Sequence, residues 1–189
     1  MVQEEVRVSG ETIFDGVIIK VKRDRARLMD GRIVNREVVE HPGGVAVFAI
    51  DENDCVIMVR QYRYPMGEET LELPAGKLEP GEEPASAAMR ELEEETGMTP
   101  GEFLYMGCSY SSPGIITEKI YLYFARNLSQ GNAHPDDGEF LDVTRIPLQE
   151  LLNMAEDNRL VDGKTLIGLY KGSMLLYKEK LKQQGGGTR

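Results

Sequence analysis

Residues 76–98 read GKLEPGEEPASAAMRELEEETGM, and how this stretch folds decides what the rest of the chain is for. Glu83-Pro84 marks a helix start, because proline is tolerated in the first turn. Ala85, Ala87, Ala88, Met89 and Leu92 are mostly good helix formers, and Gly97 is a natural stop. On that helix Glu91, Glu94 and Glu95 are spaced i, i+3, i+4 and project from one face, while Glu93 points elsewhere. They fall in the last two turns, where the helix dipole is negative and each acid costs about 0.3–1 kcal/mol. Like charges at i, i+4 add about 0.2–0.5 kcal/mol. From Glu82 to Gly97 there are six glutamates and a single arginine. Two readings stand: a solvated acidic face, which must also explain the lack of interspersed lysine, or an oxygen site for Mg²⁺ or Mn²⁺, hard cations that prefer carboxylates. Arg90, four residues before Glu94 and eight after Glu82, is expected to brace the preceding loop through Glu82.

Outward from the helix, the chain reads as strands before and after it, with helices at the end. Thr12–Phe14, Val17–Val21 and Ile33–Val39 are rich in β-branched residues and predict about three strands, too small a sheet to stand alone. After His41-Pro42-Gly43-Gly44, the run Val45–Ile50, a turn at Asp51–Asp54 and Val56–Val59 predict a hairpin of strands buried on both faces. A short strand at Glu69–Leu73 precedes the helix. Strands near Phe103–Cys108, Ile120–Ala125 and Phe140–Val143 follow it. Two helices close the chain, Pro147 to about Asp157 and Asp162 to about Leu181, the latter with Leu166, Leu169, Tyr170, Met174 and Tyr177 on one face. Gln183–Arg189 reads as a polar, Gly-rich tail expected to be disordered. This order predicts a mixed α/β sandwich and not a doubly wound sheet. The expected divisions are a β-sheet appendage over 1–41, a main domain over 42–182 and the tail over 183–189.

With 189 residues, 41% of them hydrophobic and 29% charged, the chain suits one sizeable soluble domain plus a small appendage. No apolar run approaches the roughly 18 residues that span a membrane, and the first ten residues lack the order of a signal peptide. A net charge of −10 disfavours a nucleic-acid backbone as partner. It leaves room for a phosphorylated small molecule, since a bound divalent metal reverses the local sign. Cys55 and Cys108 have no CxxC spacing and read as buried structural thiols in a reducing cytoplasm. His41 and His134 read as turn or surface residues rather than ligands.

Gly76, Glu82, Arg90, Glu91, Leu92, Glu94, Glu95, Gly97 and Met98 match all nine specified positions of G-x5-E-x7-R-E-U-x-E-E-x-G-U, where U is apolar. The stretch therefore resembles the Nudix box. LELPAGKLEPGE before the helix, Arg63 in RQYRYP, and Pro113 sixteen residues past Gly97 resemble the ADP-ribose pyrophosphatase branch of that family. The likeness extends over about residues 10–180.

The resemblance implies a Nudix α/β/α sandwich with a mixed sheet, a small N-terminal antiparallel sheet, and a homodimer joined partly through that sheet. It implies Mg²⁺-dependent hydrolysis of ADP-ribose to AMP and ribose 5-phosphate. Two or three Mg²⁺ or Mn²⁺ ions would be held by Glu91, Glu94, Glu95 and the Ala75 carbonyl. Gly76, Glu82, Arg90 and Gly97 would support the motif. Arg63 would clamp the phosphates, against the alternative of a surface arginine ending a strand. Glu139, in the acidic loop Gly131–Phe140, matches the family's catalytic glutamate, against the alternative of a solvated loop. Glu118 resembles an acid that arranges water at the site, and Glu72 a brace behind it. Arg36 and Glu37 stand where the family grips adenine, or form an exposed ion pair; Phe14, Tyr62 and Tyr64 are further aromatic candidates. The alternatives are another nucleoside diphosphate sugar, such as GDP-mannose, or a related dinucleotide, and a non-cleaving nucleotide sensor.

Overall fold

A computed structural model describes residues 4–135, 138 and 140–185. The chain divides into two compact units. One comprises residues up to Gly43 together with Tyr110–Lys119, and the other comprises Gly44–Ser109 with the residues from Ile120 onward.

The N-terminal unit is an antiparallel sheet in the order β1 (Val6–Asp15), β2 (Lys20–Arg27), β3 (Ile33–Glu40). Val17, Ile18 and Ile19 do not form the start of a strand, as their composition suggested. They lie in the turn after β1, closed by a Gly16 N–H to Ile19 carbonyl bond of 2.9 Å and by the Lys20–Asp15 ion pair at 3.1 Å. β2 instead runs on through charged residues to Arg27. The segment 110–119, distant in sequence, is sewn to the end of β3: the Val39 N–H donates to the Ile115 carbonyl at 2.7 Å and the Thr117 N–H to the Val39 carbonyl at 3.0 Å. Within this sheet Ala26 is the one described hydrophobic residue that is buried, and all ten residues of β1 are exposed.

The larger unit holds two sheets. One has the order β7 (Ala75–Lys77), β4 (Gly44–Ala49), β9 (Lys119–Gln130), β8 (Met98–Tyr110); the other is β10 (Leu141–Pro147), β5 (Cys55–Arg63), β6 (Glu68–Glu72). β4 and β9 are parallel, and β4 and β7 antiparallel. The expected β4–β5 hairpin is therefore a correction. β7 and β9 occupy both edges of β4, so β5 is left with a lone bridge from Ile50 to Val56 and pairs with β6 and β10 instead.

β4 is buried throughout and its alternation builds two cores. Val45, Val47 and Ala49 pack with Ala87, Ala88 and Leu92 of α1 (Pro84–Thr96). Phe48 and Ile50 pack on the other side with Leu151 of α2 (Leu148–Glu156) and Leu169 of α3 (Gly163–Gly185). The sheet is thus mixed, with helices on both faces.

In α3 the buried face differs from the expected one. Leu169 is buried, but Tyr170, Met174 and Tyr177 are exposed. The helix approaches the sheet through Gly168 and Gly172, where an added Cβ would lie 2.5 Å from Leu73 Cδ1 and 2.6 Å from the Phe48 ring. Close approach needs small residues on the inner face, which turns the large ones outward. α3 also continues through Gln183 and Gln184 to Gly185, where a disordered tail was expected; residues 186–189 lie outside the described set. The thiols are likewise a correction, since Cys108 is exposed and Cys55 half-buried, both free. Among the described residues no helix is long and apolar enough to cross a membrane.

Candidate active site

α1 starts with Glu83 at its cap position and Pro84 in its first turn, and it stops at Gly97, whose φ of 70° is left-handed. That conformation favours glycine, and the surroundings demand it too: a Cβ on Gly97 would come within 2.8 Å of Gly131, Asn132 and Ala133 backbone atoms. The segment 130–134 is latched across the helix end. The Gly131 N–H donates to the Gly97 carbonyl at 2.6 Å, and the His134 N–H donates to the Glu94 carbonyl at 2.8 Å. Gln130 Nε2 donates to the Thr96 carbonyl at 3.2 Å. Carbonyls that every helix leaves unpaired at its C-terminus here anchor the start of the acidic loop. Within that loop Asp136, Asp137 and Glu139 lie outside the described residues, so the candidate base has no position here.

The helix turns its acids toward β7. Glu95 is 3% exposed and its Oε2 accepts the Ala75 N–H at 3.0 Å. The Glu91 carboxylate lies over Gly76, where a Cβ would stand 1.9 Å from its carboxyl carbon. Glu93 is exposed on the opposite face. Arg90 gathers the remaining charge. Its Nε and Nη2 donate to Glu82 at 2.9 and 3.0 Å, and its Nη1 to Glu91 and Glu94 at 2.9 and 2.8 Å. Glu82 in turn accepts the Glu79 N–H at 3.0 Å, fixing the turn before the helix. Glu82 first, then Glu94 and Glu91, drive the Arg90 pKa upward, and the Arg90 hydrogen bonds hold the Glu82 carboxyl below its ordinary range.

The donor set around Ala75, Glu91, Glu94 and Glu95 is all oxygen, which suits Mg²⁺ or Mn²⁺. Among the described residues no group of three or more His, Cys, Asp or Glu side chains is arranged to hold a metal ion. Mg²⁺ does not require one, because it binds through one or two carboxylates while keeping waters and phosphate oxygens. The glycine at 76 keeps the space beside Glu91 clear of a side chain. The residues fit the ion.

A second cluster is built where β5, β6 and α3 meet. Arg63 at the end of β5 grips Glu72 at the end of β6 through Nε at 2.6 Å and Nη2 at 2.5 Å. Thr70 Oγ1 donates to the same carboxylate at 2.5 Å, and Lys164 from the first turn of α3 pairs with it as well. Lys164 is held from its other side by Asp162 at 3.0 Å. Glu72 is 1% exposed. Burial pushes its carboxyl up, but Arg63, Lys164 and Thr70 outweigh burial and leave it at about 2. Arg63, more exposed than its partners, has its pKa raised by Glu72. Thr70, Asp162, Lys164 and Thr165 were not singled out from the sequence. The available signal was a lysine in the first turn of a helix, where the dipole disfavours a cation.

Of the remaining candidates, Glu118, Arg36, Glu37 and Phe14 sit in the N-terminal unit, and Tyr62 and Tyr64 in the larger one. Glu118 accepts from the Ser111 hydroxyl and lies 3.3 Å from His41 Nδ1. Arg36 on β3 is paired with Glu5 at 2.7 Å rather than with Glu37, and the two neighbours point to opposite faces of the strand. Phe14, Tyr62 and Tyr64 are all exposed.

A model of the NUDIX domain matches residues 40–166. The chain is 41% identical to a methanol dehydrogenase activator of Bacillus methanolicus, over 88% of this chain and 91% of that one. It is 38% identical to an ADP-ribose pyrophosphatase of Bacillus subtilis (strain 168), over 96% of this chain and 97% of that one. A crystal structure of an ADP compounds hydrolase superposes with a TM-score of 0.80, covering 98% of both chains at 23% identity, a likeness of fold.

Proposed function

This chain belongs to the Nudix family, and we propose that it hydrolyses the pyrophosphate bond of ADP-ribose to give AMP and ribose 5-phosphate. The observation that carries the reading is the α1 carboxylate face, complete in Glu91, Glu94 and Glu95 and packed on Ala75-Gly76. The substrate is supported by the 38% identity to an ADP-ribose pyrophosphatase over nearly the whole chain. Glu91, Glu94, Glu95 and the Ala75 carbonyl would hold two or three Mg²⁺ or Mn²⁺ ions. When bound, such ions neutralise pyrophosphate oxygens and make water more acidic.

The protein's own groups do the rest. Arg63 commits Nε and Nη2 to Glu72, which leaves its Nη1 edge for a phosphate oxygen. Glu139 is the proposed base that takes the proton of the attacking water. Gly138 beside it has a φ of 90°, and the first residues of the loop, which follows β9, are hydrogen-bonded to the C-terminal end of α1. For Arg36, Glu37 and Glu118 the proposal rests on the sequence resemblance alone. A homodimer through the N-terminal sheet is supported by β1, exposed along its whole length with Val8, Ile13 and Phe14 among its residues. The free thiols suit a reducing cytoplasm.

Purified protein with Mg²⁺ and ADP-ribose is expected to release AMP, to stop on chelation and to resume when Mg²⁺ is restored. Background turnover by folded protein would overturn the reading. A second reading, a regulatory protein, is favoured by the relative named as an activator. Assaying GDP-mannose and dinucleotides in parallel separates another substrate from binding without cleavage.

A further inference from the structure

Glu72 is the most completely buried charge beside the site, and it is saturated. A carboxylate offers about four lone-pair positions. Arg63 supplies two donors, Thr70 one and Lys164 one. Lys164 is an unusual member of this set. It occupies the first turn of α3, where the helix dipole repels a cation, and its side chain is only 16% exposed. A surface lysine keeps its ammonium in water; this one is turned inward and held between Glu72 and Asp162. Arg63 is the member that faces solvent, at 38%.

We propose that Lys164 is a positioning residue for the phosphate clamp: by holding the buried Glu72 carboxylate from the α3 side, it leaves Arg63 oriented by Glu72 while its outer edge serves a phosphate. The inference rests on the pyrophosphatase reading. Without Lys164, Arg63 is the sole cation of a carboxylate that has no access to water, and the attraction drawing its charge inward grows. The strand end itself does not depend on Lys164, because the Leu73 N–H donates to Thr165 Oγ1 at 2.9 Å. Thr165 is buried, and the cap of its own N–H on Asp162 at 3.0 Å keeps the turn in place. A change at Lys164 therefore removes its charge from Glu72 and Asp162 while the groups that make these two backbone bonds stay in the chain.

The test is steady-state kinetics of the full chain with Mg²⁺ and ADP-ribose for wild type, Lys164→Met, Lys164→Arg and the double variant Glu72→Gln/Lys164→Met. Lys164→Met is expected to raise KM about 10-fold or more with kcat changed less than about threefold, the pattern of lost ground-state binding. Lys164→Arg should stay near wild type. The double variant should recover part of the loss, since a neutral glutamine needs no second cation. Should Lys164→Met fold poorly by circular dichroism, Lys164→Gln takes its place. A lowered urea midpoint with unchanged KM, or a loss confined to kcat, overturns the proposal. If wild type cleaves no nucleoside diphosphate sugar, the pyrophosphatase reading fails by itself, and calorimetric titration with inorganic pyrophosphate then decides. Binding about 10-fold weaker in Lys164→Met supports the clamp; equal affinities, or no pyrophosphate binding by wild type, overturn it.

Discussion

Glu95 carries its charge almost wholly out of water, at 3% exposure, near the negative end of a helix. Its bond to the Ala75 N–H ties the helix to the strand beside Gly76. A glutamine keeps an oxygen for that bond and removes the charge. Glu95→Gln is therefore expected to lose more than the roughly 10–100-fold in activity that changes behind a metal ligand cost. Its stability should be unchanged or higher, because the helix dipole no longer opposes a buried acid. Turnover of ADP-ribose and a urea melt on the same preparation check both halves. A full rate with a changed melt would make the acid structural. The spacing of Glu91, Glu94 and Glu95 was legible because i, i+3, i+4 is a property of any helix. That Glu95 is buried and Glu93 exposed required knowing which face β7 covers.

At the scale of elements, β6 and α3 are joined through one carboxylate, and pH reports on that joint. The Glu72 carboxyl stands at about 2 against an ordinary 4.5, so its folded value is depressed. Its contribution, roughly 3 kcal/mol, is fully present above about pH 4.5 and is lost as pH falls through about 2. Urea unfolding from pH 5 down to pH 2.5 should show wild type losing stability steeply and Glu72→Gln losing less over the same range. Parallel curves would assign the acid sensitivity elsewhere. The start and stop of α1 were readable, since Pro84 and Gly97 act locally. The partners of β4 were not, because the competition among β5, β7 and β9 for two edges is settled by tertiary contacts. Lys164 was hidden for the same reason, lying 92 residues from Glu72.

For the whole molecule, the N-terminal sheet buries one described hydrophobic residue and exposes Val6, Val8, Ile13 and Phe14 on β1. A three-stranded sheet of this kind is marginal alone. Sedimentation velocity at micromolar concentration is expected to show a dimer, and Val8→Lys/Phe14→Lys a monomer in which Gly44–Ser109 and the residues from Ile120 onward keep their fold. A wild-type monomer would sink the dimer proposal.

The sequence by itself determined the acidic helix, its ends, the burial of β4 on both faces and the Nudix pattern, because each is written within a few turns or one strand. Only the tertiary structure decided which sheet β5 joins and which face of α3 is buried. The Arg90–Glu82 brace was expected from the spacing and is present; the fold alone showed that Arg90 also takes Glu91 and Glu94 and that Lys164 closes on Glu72. Edge pairing, close approach at a glycine and the neutralisation of a buried charge depend on what arrives from elsewhere in the chain, and no local pattern specifies that arrival. The helix at 84–96 presents the carboxylates, and the strands and loop packed around it determine what those carboxylates can do.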